Sequence, residues 1–138
     1  MNRPFRSIAA ALVTLLGPGI GTARAQAVHE VRLEANADKG EYTFSPASVT
    51  ARPGEVIVFK LVNGAPHSVV FEGKSLSARA REALNGAMPR RSADLSSPLL
   101  TENGAEYRIT VPALPPGNYP FFCLPHRAYD MRGELQVN

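Results

Sequence analysis

Apolar and polar residues follow one another along this chain in short runs that are typical of β-strands. The clearest run, EVIVFKLV, is rich in β-branched residues and comes directly after the turn residues Pro53 and Gly54. Further short runs are separated by glycine, proline and asparagine. The pattern predicts strands over residues 31–35, 55–62, 68–71, 106–111, 117–123 and 134–137.

A single segment, residues 75–86, has the spacing of a helix. Leu76, Ala80 and Leu84 share one of its faces, and Gly86 is placed to end it. Many short strands with one short helix favour an all-β, antiparallel sandwich of two sheets. We expect the two inner faces to bury Phe44, Val49, Val56, Val58, Phe121 and Phe122.

The first 25 residues have a different character from the rest. Arg3 and Arg6 precede the apolar run 8–16, and small residues lead up to Ala25 and Ala27. A run of nine apolar residues is too short to cross a membrane, which takes roughly 20. We therefore predict a secretory signal peptide over residues 1–25, cleaved after Ala25 or after Ala27, and a periplasmic domain over 26–138 with no membrane span.

The charge balance changes once this segment is removed. Three of the 15 lysines and arginines lie in it and no acidic residue does, so 12 basic residues face 12 acidic ones in the remainder. A balanced domain without a basic-aromatic stripe or a nucleic-acid motif excludes nucleic acid as a partner. We expect a monomer.

Three sulfur and nitrogen donors stand close together in FFCLPHRAYDM. Cys123, the one cysteine of the chain, is followed by His126 and Met131. A thiolate, an imidazole and a thioether select copper, and a blue copper site takes two histidines, one cysteine and a weak axial methionine. His67, where a Gly/Pro turn opens a strand, can supply the second histidine. A buried structural cysteine beside a core methionine is the alternative, which the short spacing disfavours. His29 has no metal-type neighbour and is interpreted as a surface strand residue.

Two long segments carry a family resemblance. YTFSPASVTARPGEVIVFKLVNGAPHSVVF and GNYPFFCLPHRAYDMRGELQVN resemble the plastocyanin/pseudoazurin branch of the cupredoxins. The matching features are Phe44-x-Pro46, Pro66-His67, the Cys-x-x-His-x-x-x-x-Met loop and Met131-x-Gly133. The resemblance implies a Greek-key sandwich of about eight strands and one type 1 copper ion held by His67, Cys123, His126 and Met131.

The same resemblance implies one-electron transfer with a transient redox partner. The edge of His126 should then emerge through an apolar patch, formed here by Ala65, Pro66, Leu124 and Pro125. The backbone N–H of Ser68 or a neighbour is expected to hydrogen-bond the cysteine sulfur. Arg127 and the basic stretch 74–91 favour a partner with an acidic face, such as a cytochrome c or an oxidase domain.

Copper enzymes on the same fold need more ligands than this chain offers. A second copper centre takes further histidines, usually as His-x-His pairs, and a dinuclear electron-transfer centre takes two cysteines. The chain has three histidines, none in such a pair, and one cysteine, so we predict that it is not an enzyme. A periplasmic copper carrier or storage protein without electron-transfer turnover remains the alternative.

Overall fold

The computed structural model describes residues 26–138, and the predicted signal peptide over 1–25 lies outside the described residues. Eight strands and one α-helix make up the regular structure of this part. The strands are β1 (Val28–Asn36), β2 (Glu41–Ser45), β3 (Ser48–Ala51), β4 (Val56–Leu61), β5 (Val70–Phe71), β6 (Glu106–Thr110), β7 (Gly117–Phe122) and β8 (Arg132–Val137), and the helix is α1 (Ala78–Ala87). Short 3₁₀ turns occupy residues 37–39, 73–75 and 127–129.

The strands form two four-stranded sheets that pack face to face. One sheet has the order β2-β1-β4-β6 and the other the order β3-β8-β7-β5. This is the eight-stranded sandwich that the resemblance implies, with the one short helix that the spacing of residues 75–86 predicts. The expectation that it is antiparallel throughout is wrong, because β1 pairs with β4 and β3 pairs with β8 in parallel. In the part of the chain described, no helix is long and apolar enough to span a membrane.

The buried face of β4 differs from the predicted one. Its core residues are Ile57, Phe59 and Leu61, whereas Val58 lies outside the central cluster and Val56 is only half-buried. The run VIVFKL is apolar at nearly every position, so alternation along the sequence does not show which set points inward. Phe44, Val49 and Phe121 lie in the central cluster as expected, whereas Phe122 is buried outside it, with the guanidinium of Arg127 over its ring.

Aromatic rings fill the core beneath the end of β7. Phe121 meets Phe44 edge to face with ring centroids 4.9 Å apart, and Phe59 in the same manner at 5.3 Å. Such edge-to-face pairs add about 0.5–1.5 kcal/mol each beyond burial of their area. They fix the strand two residues before Cys123.

The helix is fastened at its start by a side-chain cap. Ser77 accepts a hydrogen bond from the N–H of Ala80 at 3.1 Å, and the helix continues through Gly86 to Ala87. Ala80 and Leu84 are buried, as the predicted face requires. Tyr119 packs its ring inside and donates its hydroxyl to the carbonyl of Pro115 at 2.7 Å.

Candidate metal centre

Two connections bring the predicted ligands to one end of the sandwich. His67 follows β4 after the turn 63–66, and Cys123 follows β7 directly. His126 and Met131 lie on the loop from β7 to β8. The backbone of His67 is held by two hydrogen bonds with Leu100, at 3.0 and 2.8 Å, so the histidine is fixed although it lies outside the named strands.

The donor atoms converge. The Cys123 Sγ lies 3.6 Å from Nδ1 of His67 and 3.5 Å from Nδ1 of His126. Candidate ligand atoms of these three residues all lie within 4.8 Å of one another. A metal about 2.0 Å from nitrogen and about 2.3 Å from sulfur would separate the two donors by roughly 3.5–3.8 Å at angles near 110–120°. The distances and the soft donor set therefore fit a copper ion.

Burial sets the protonation of the three residues before any metal binds. It lowers the pKa of His67 and of His126, whose pKa the neighbouring His67 lowers further. Both imidazoles are therefore held neutral, which is the form that binds a metal. Burial raises the pKa of the Cys123 thiol, opposed by hydrogen bonds from Ser68 and the backbone of His126, so metal binding must displace a proton from sulfur.

Ser68 makes two bonds at the centre. Its backbone N–H donates to the Cys123 sulfur at 3.4 Å, which confirms the predicted contact. Its hydroxyl accepts the N–H of Leu124 at 3.1 Å. A donor on the sulfur withdraws charge from a thiolate ligand and so tunes the metal it holds.

Met131 lies at the end of the loop from β7 to β8. It is fully buried, and its carbonyl accepts the N–H of Cys123 at 3.0 Å, which ties the two ends of the loop together. Asp130, in the left-handed region at φ 56°, ends the turn 127–129 and returns the chain to β8. The methionine therefore lies on the same short loop as the cysteine and the second histidine.

Sequence reasoning missed an aromatic neighbour of His126. The Tyr42 ring, in β2, stacks on His126 with centroids 3.8 Å apart and planes 13° from parallel. Tyr129 lies against Tyr42 at 4.8 Å. Tyr42 and Phe44 are two positions apart in β2 and so share one face of the strand. The sequence does not show, however, which register places the Tyr42 ring over His126, because that register depends on the tertiary structure.

The surface around the centre is apolar. Ala65, Pro66 and Pro125 are exposed, and Leu124 is 56% exposed. Two further exposed apolar side chains, each 55% exposed, were not included by the sequence reasoning: Tyr129, whose ring centroid lies 6.3 Å from that of His126, and Leu99, which precedes the Leu100 that pairs with His67. His126 itself is only 8% exposed, so little of its ring reaches this surface.

His29 lies away from the centre. It is half-buried in β1, and its Nε2 lies 2.8 Å from a carboxylate oxygen of Glu55. Among residues 26–138, His67, Cys123 and His126 form the one group of three or more His, Cys, Asp or Glu side chains spaced to hold a metal ion.

Known proteins share both the sequence and the fold. Residues 31–138 match the family described as copper binding proteins, plastocyanin/azurin family. Plastocyanin A/B of Petroselinum crispum is 34% identical over 116 residues, which cover 79% of this chain and 99% of that protein. Plastocyanin of Dryopteris crassirhizoma is 31% identical over 106 residues, covering 77% of this chain and 98% of the relative.

Solved structures agree with this. The oxidized form of plastocyanin from Dryopteris crassirhizoma superposes with a TM-score of 0.62 at 28% identity, covering 79% of this chain and 99% of that one. Amicyanin from Paracoccus versutus, at a TM-score of 0.51 and 22% identity over 85% of this chain and 86% of its own, shares the fold. With its eight-stranded sandwich and its buried His-Cys-His cluster, the chain belongs to the plastocyanin/azurin family of copper-binding proteins.

Proposed function

We propose that this chain is an exported, periplasmic electron carrier that binds one type 1 copper ion through His67, Cys123, His126 and Met131. The observation that carries the proposal is the buried cluster of His67, Cys123 and His126, next to exposed apolar side chains on the loop that carries His126. Copper bound there supplies a one-electron Cu(II)/Cu(I) couple. A carrier is favoured over an enzyme, because three histidines and one cysteine leave no ligands for a second copper centre.

The residues of the chain keep the site dry and rigid. His67, Cys123 and Met131 are fully buried, so water does not compete for the metal. Ser68 and Leu100 hold the sulfur and the first histidine by backbone hydrogen bonds. A donor set fixed in this way has little to rearrange when one electron is gained or lost.

The apolar surface is suited to brief contacts with a redox partner. Leu124 and Tyr129 lie on the loop from β7 to β8, Leu99 lies on the segment whose Leu100 pairs with His67, and all three side chains are exposed. A small apolar patch fits the weak, short-lived encounters of electron-transfer proteins. We propose that the protein works as a monomer and docks through this patch.

Charge beside the patch favours an acidic partner. The guanidinium of Arg127 lies 4.6 Å from the centre of the Phe122 ring, directly beside Cys123 in sequence. Arg127 and Lys74 line the same apolar pocket of about 210 Å³, where Glu72 is already bound by Arg132. Two basic side chains without an acidic partner among the described residues therefore face the solvent here.

The spectrum of the copper-loaded protein tests the electron-transfer role. We expect an intense thiolate-to-copper band in the visible and reversible one-electron reduction at an electrode. A protein that binds copper without this band, or whose copper dissociates on each reduction, would instead be a copper carrier or storage protein.

Oxidation of the Cu(I) protein by small complexes tests the charge argument. Arg127→Gln should slow oxidation by the hexacyanoferrate(III) anion about two- to fivefold at low salt, because one unit charge near contact is worth about 1 kcal/mol in water. Oxidation by the cationic tris(phenanthroline)cobalt(III) should not slow. The difference should vanish near 0.5 M salt, where the screening length is roughly 4 Å.

Arg52→Gln is the matched control, because it removes the same charge in the turn before β4, at the end of that strand away from His67. Equal slowing by both variants would show an effect of net charge and contradict a docking role for Arg127. Export is tested separately, by the mass of the protein recovered from the periplasm, which should begin at Gln26 or Val28.

A further inference from the structure

Asn63 makes two contacts that no sequence motif predicts. Its backbone carbonyl accepts a hydrogen bond from Nε2 of His67 at 2.9 Å, while its side-chain oxygen accepts the N–H of Ala35 at 2.6 Å. One residue thus touches a candidate copper ligand with its main chain and the end of β1 with its side chain.

The side-chain contact extends the pairing of β1 with β4. The parallel register ends at Leu33 and Leu61, after which the N–H of Val62 donates to the carbonyl of Leu33 at 2.9 Å. In a regular parallel ladder the carbonyl of Val62 would next accept from Ala35. The Asn63 side chain takes that place, so the backbone can leave the sheet and turn toward His67 without an unpaired N–H on β1.

The turn that follows has no space to shift toward β1. Gly64 has φ +73°, and a Cβ built on it would lie 2.2 Å from the Cβ of Ala35. The turn therefore rests directly on Ala35, and the Asn63 side chain is the polar bond that holds the two together. The Asn63 carbonyl cannot move unless this bond breaks.

We infer that Asn63 is a positioning residue for His67, acting through its side-chain bond to β1. With Nε2–H committed to a fixed carbonyl, the lone pair of Nδ1 faces the Cys123 sulfur, as the distance of 3.6 Å between these atoms requires. Orientation of a ligand histidine through its second nitrogen is a general device of metal sites, and it works only when the acceptor itself is fixed.

The test is solvent exchange of the His67 Nε2–H proton, followed by nitrogen-15 NMR in the Cu(I) protein. Asn63→Ala removes the bond to Ala35 but keeps the backbone carbonyl. We expect this proton to exchange about five- to tenfold faster, in keeping with one lost hydrogen bond of about 1–1.4 kcal/mol. Asn63→Asp keeps an acceptor oxygen of the same reach and should exchange like the wild type.

Asn36→Ala is the control, because this neighbouring asparagine makes no capping bond with its side chain. Exchange that is unchanged in Asn63→Ala, or equally fast in Asn63→Asp and Asn63→Ala, would overturn the inference. If Asn63→Ala does not fold, Asn63→Gln replaces it, since its amide is one methylene too long and should also speed exchange. Proton exchange is measured without electron transfer, so this experiment tests the inference about Asn63 independently of the electron-transfer role.

Discussion

Cys123 is the residue on which the copper site depends most. Its sulfur is fully buried between two imidazoles and takes one backbone N–H from Ser68. Since burial raises the pKa of the thiol, a bound cation is what favours the thiolate here. Removing the sulfur should therefore remove the site's colour without greatly changing the fold.

We expect Cys123→Ser to lose the thiolate-to-copper band completely, because a hydroxyl is not a soft donor. Met131→Gln should keep a coloured site at an altered potential, because the axial bond is weak. Visible and paramagnetic-resonance spectra of both proteins with added Cu(II) check this. A blue Cys123→Ser protein would refute the ligand assignment.

Tyr42 supplies a second test at this scale. Its ring stacks on His126, and such aromatic pairs contribute about 0.5–1.5 kcal/mol beyond burial. Tyr42→Leu should lower the free energy of unfolding in urea by more than Tyr129→Leu does, because Tyr129 is 55% exposed. Equal losses in the two variants would show that the stack on His126 contributes nothing specific.

Donor chemistry explains why the candidate ligands could be predicted from sequence and Tyr42 could not. Cys123, His126 and Met131 lie within one short loop, so their spacing alone indicates a common site. The contact of Tyr42 with His126 depends on how β2 is registered against β1, with Ala35 opposite Tyr42. That register is fixed by packing across the whole sheet.

At the scale of elements, β4 and the turn after it determine the position of His67. This strand lies between β1 and β6 in the interior of its sheet, which makes it a rigid support. The turn then passes so close to β1 that Gly64 has no room for a side chain. A change in this turn should affect both the stability of the sandwich and the copper site.

Gly64→Ala should destabilise the protein by more than Gly104→Ala, and it should weaken or abolish the copper colour. Both glycines have positive φ, +73° and +85°, so both variants carry a similar backbone strain of roughly 1 kcal/mol. A Cβ at Gly104 meets nothing within 4 Å, whereas one at Gly64 collides with Ala35. The difference between the urea unfolding midpoints of the two variants therefore measures the effect of the collision with Ala35. Similar midpoints for the two variants would contradict this prediction.

The start of β1 is fastened by a titratable contact. The Glu55 carboxylate accepts hydrogen bonds from the His29 ring and from the N–H of Arg52, and these bonds hold the pKa of Glu55 below its usual 4.5. A depressed carboxyl pKa stabilises the fold above the unfolded value, and that stabilisation is lost as the pH falls through the folded value.

We therefore expect the stability advantage of the wild type over Glu55→Gln to shrink between about pH 6 and pH 3. Urea unfolding across this range measures it, with Glu102→Gln, an exposed acidic residue, as the control. A difference that is constant with pH would exclude the contribution of the Glu55 contacts.

Strand existence was easier to predict than strand arrangement. Six strands and the helix lie close to their predicted positions, because their runs or faces are long enough to show a period. β2 and β3 were missed as strands, since their sequences EYTFS and SVTA contain few apolar residues and only Pro46 and Ala47 separate them. The parallel pairs β1–β4 and β3–β8 join segments distant in sequence, and no local pattern encodes such partners.

At the scale of the whole molecule, copper binding and folding are linked. The proposed ligands lie on connections that follow strands of both sheets, since His67 follows β4 and the loop with Cys123 follows β7. A metal that joins them stabilises the folded state by mass action, and by about 4 kcal/mol when the free ion is 1,000 times its dissociation constant.

Copper removal by a chelator should then lower the melting temperature by on the order of 15–20 °C for a domain of this size. Calorimetry of loaded and chelated protein measures the shift. In Cys123→Ser the same treatment should cause a much smaller change, and an undiminished shift would place the ion elsewhere.

The burial of Cys123 has one further consequence, which concerns motion. A thiol with no exposed surface is out of reach of a labelling reagent until the loop or the sandwich around it opens. Because the chain has a single cysteine, every labelling event in the metal-free protein counts one opening at that place. The labelling rate of this one thiol therefore measures how often the structure around the proposed copper ligand opens.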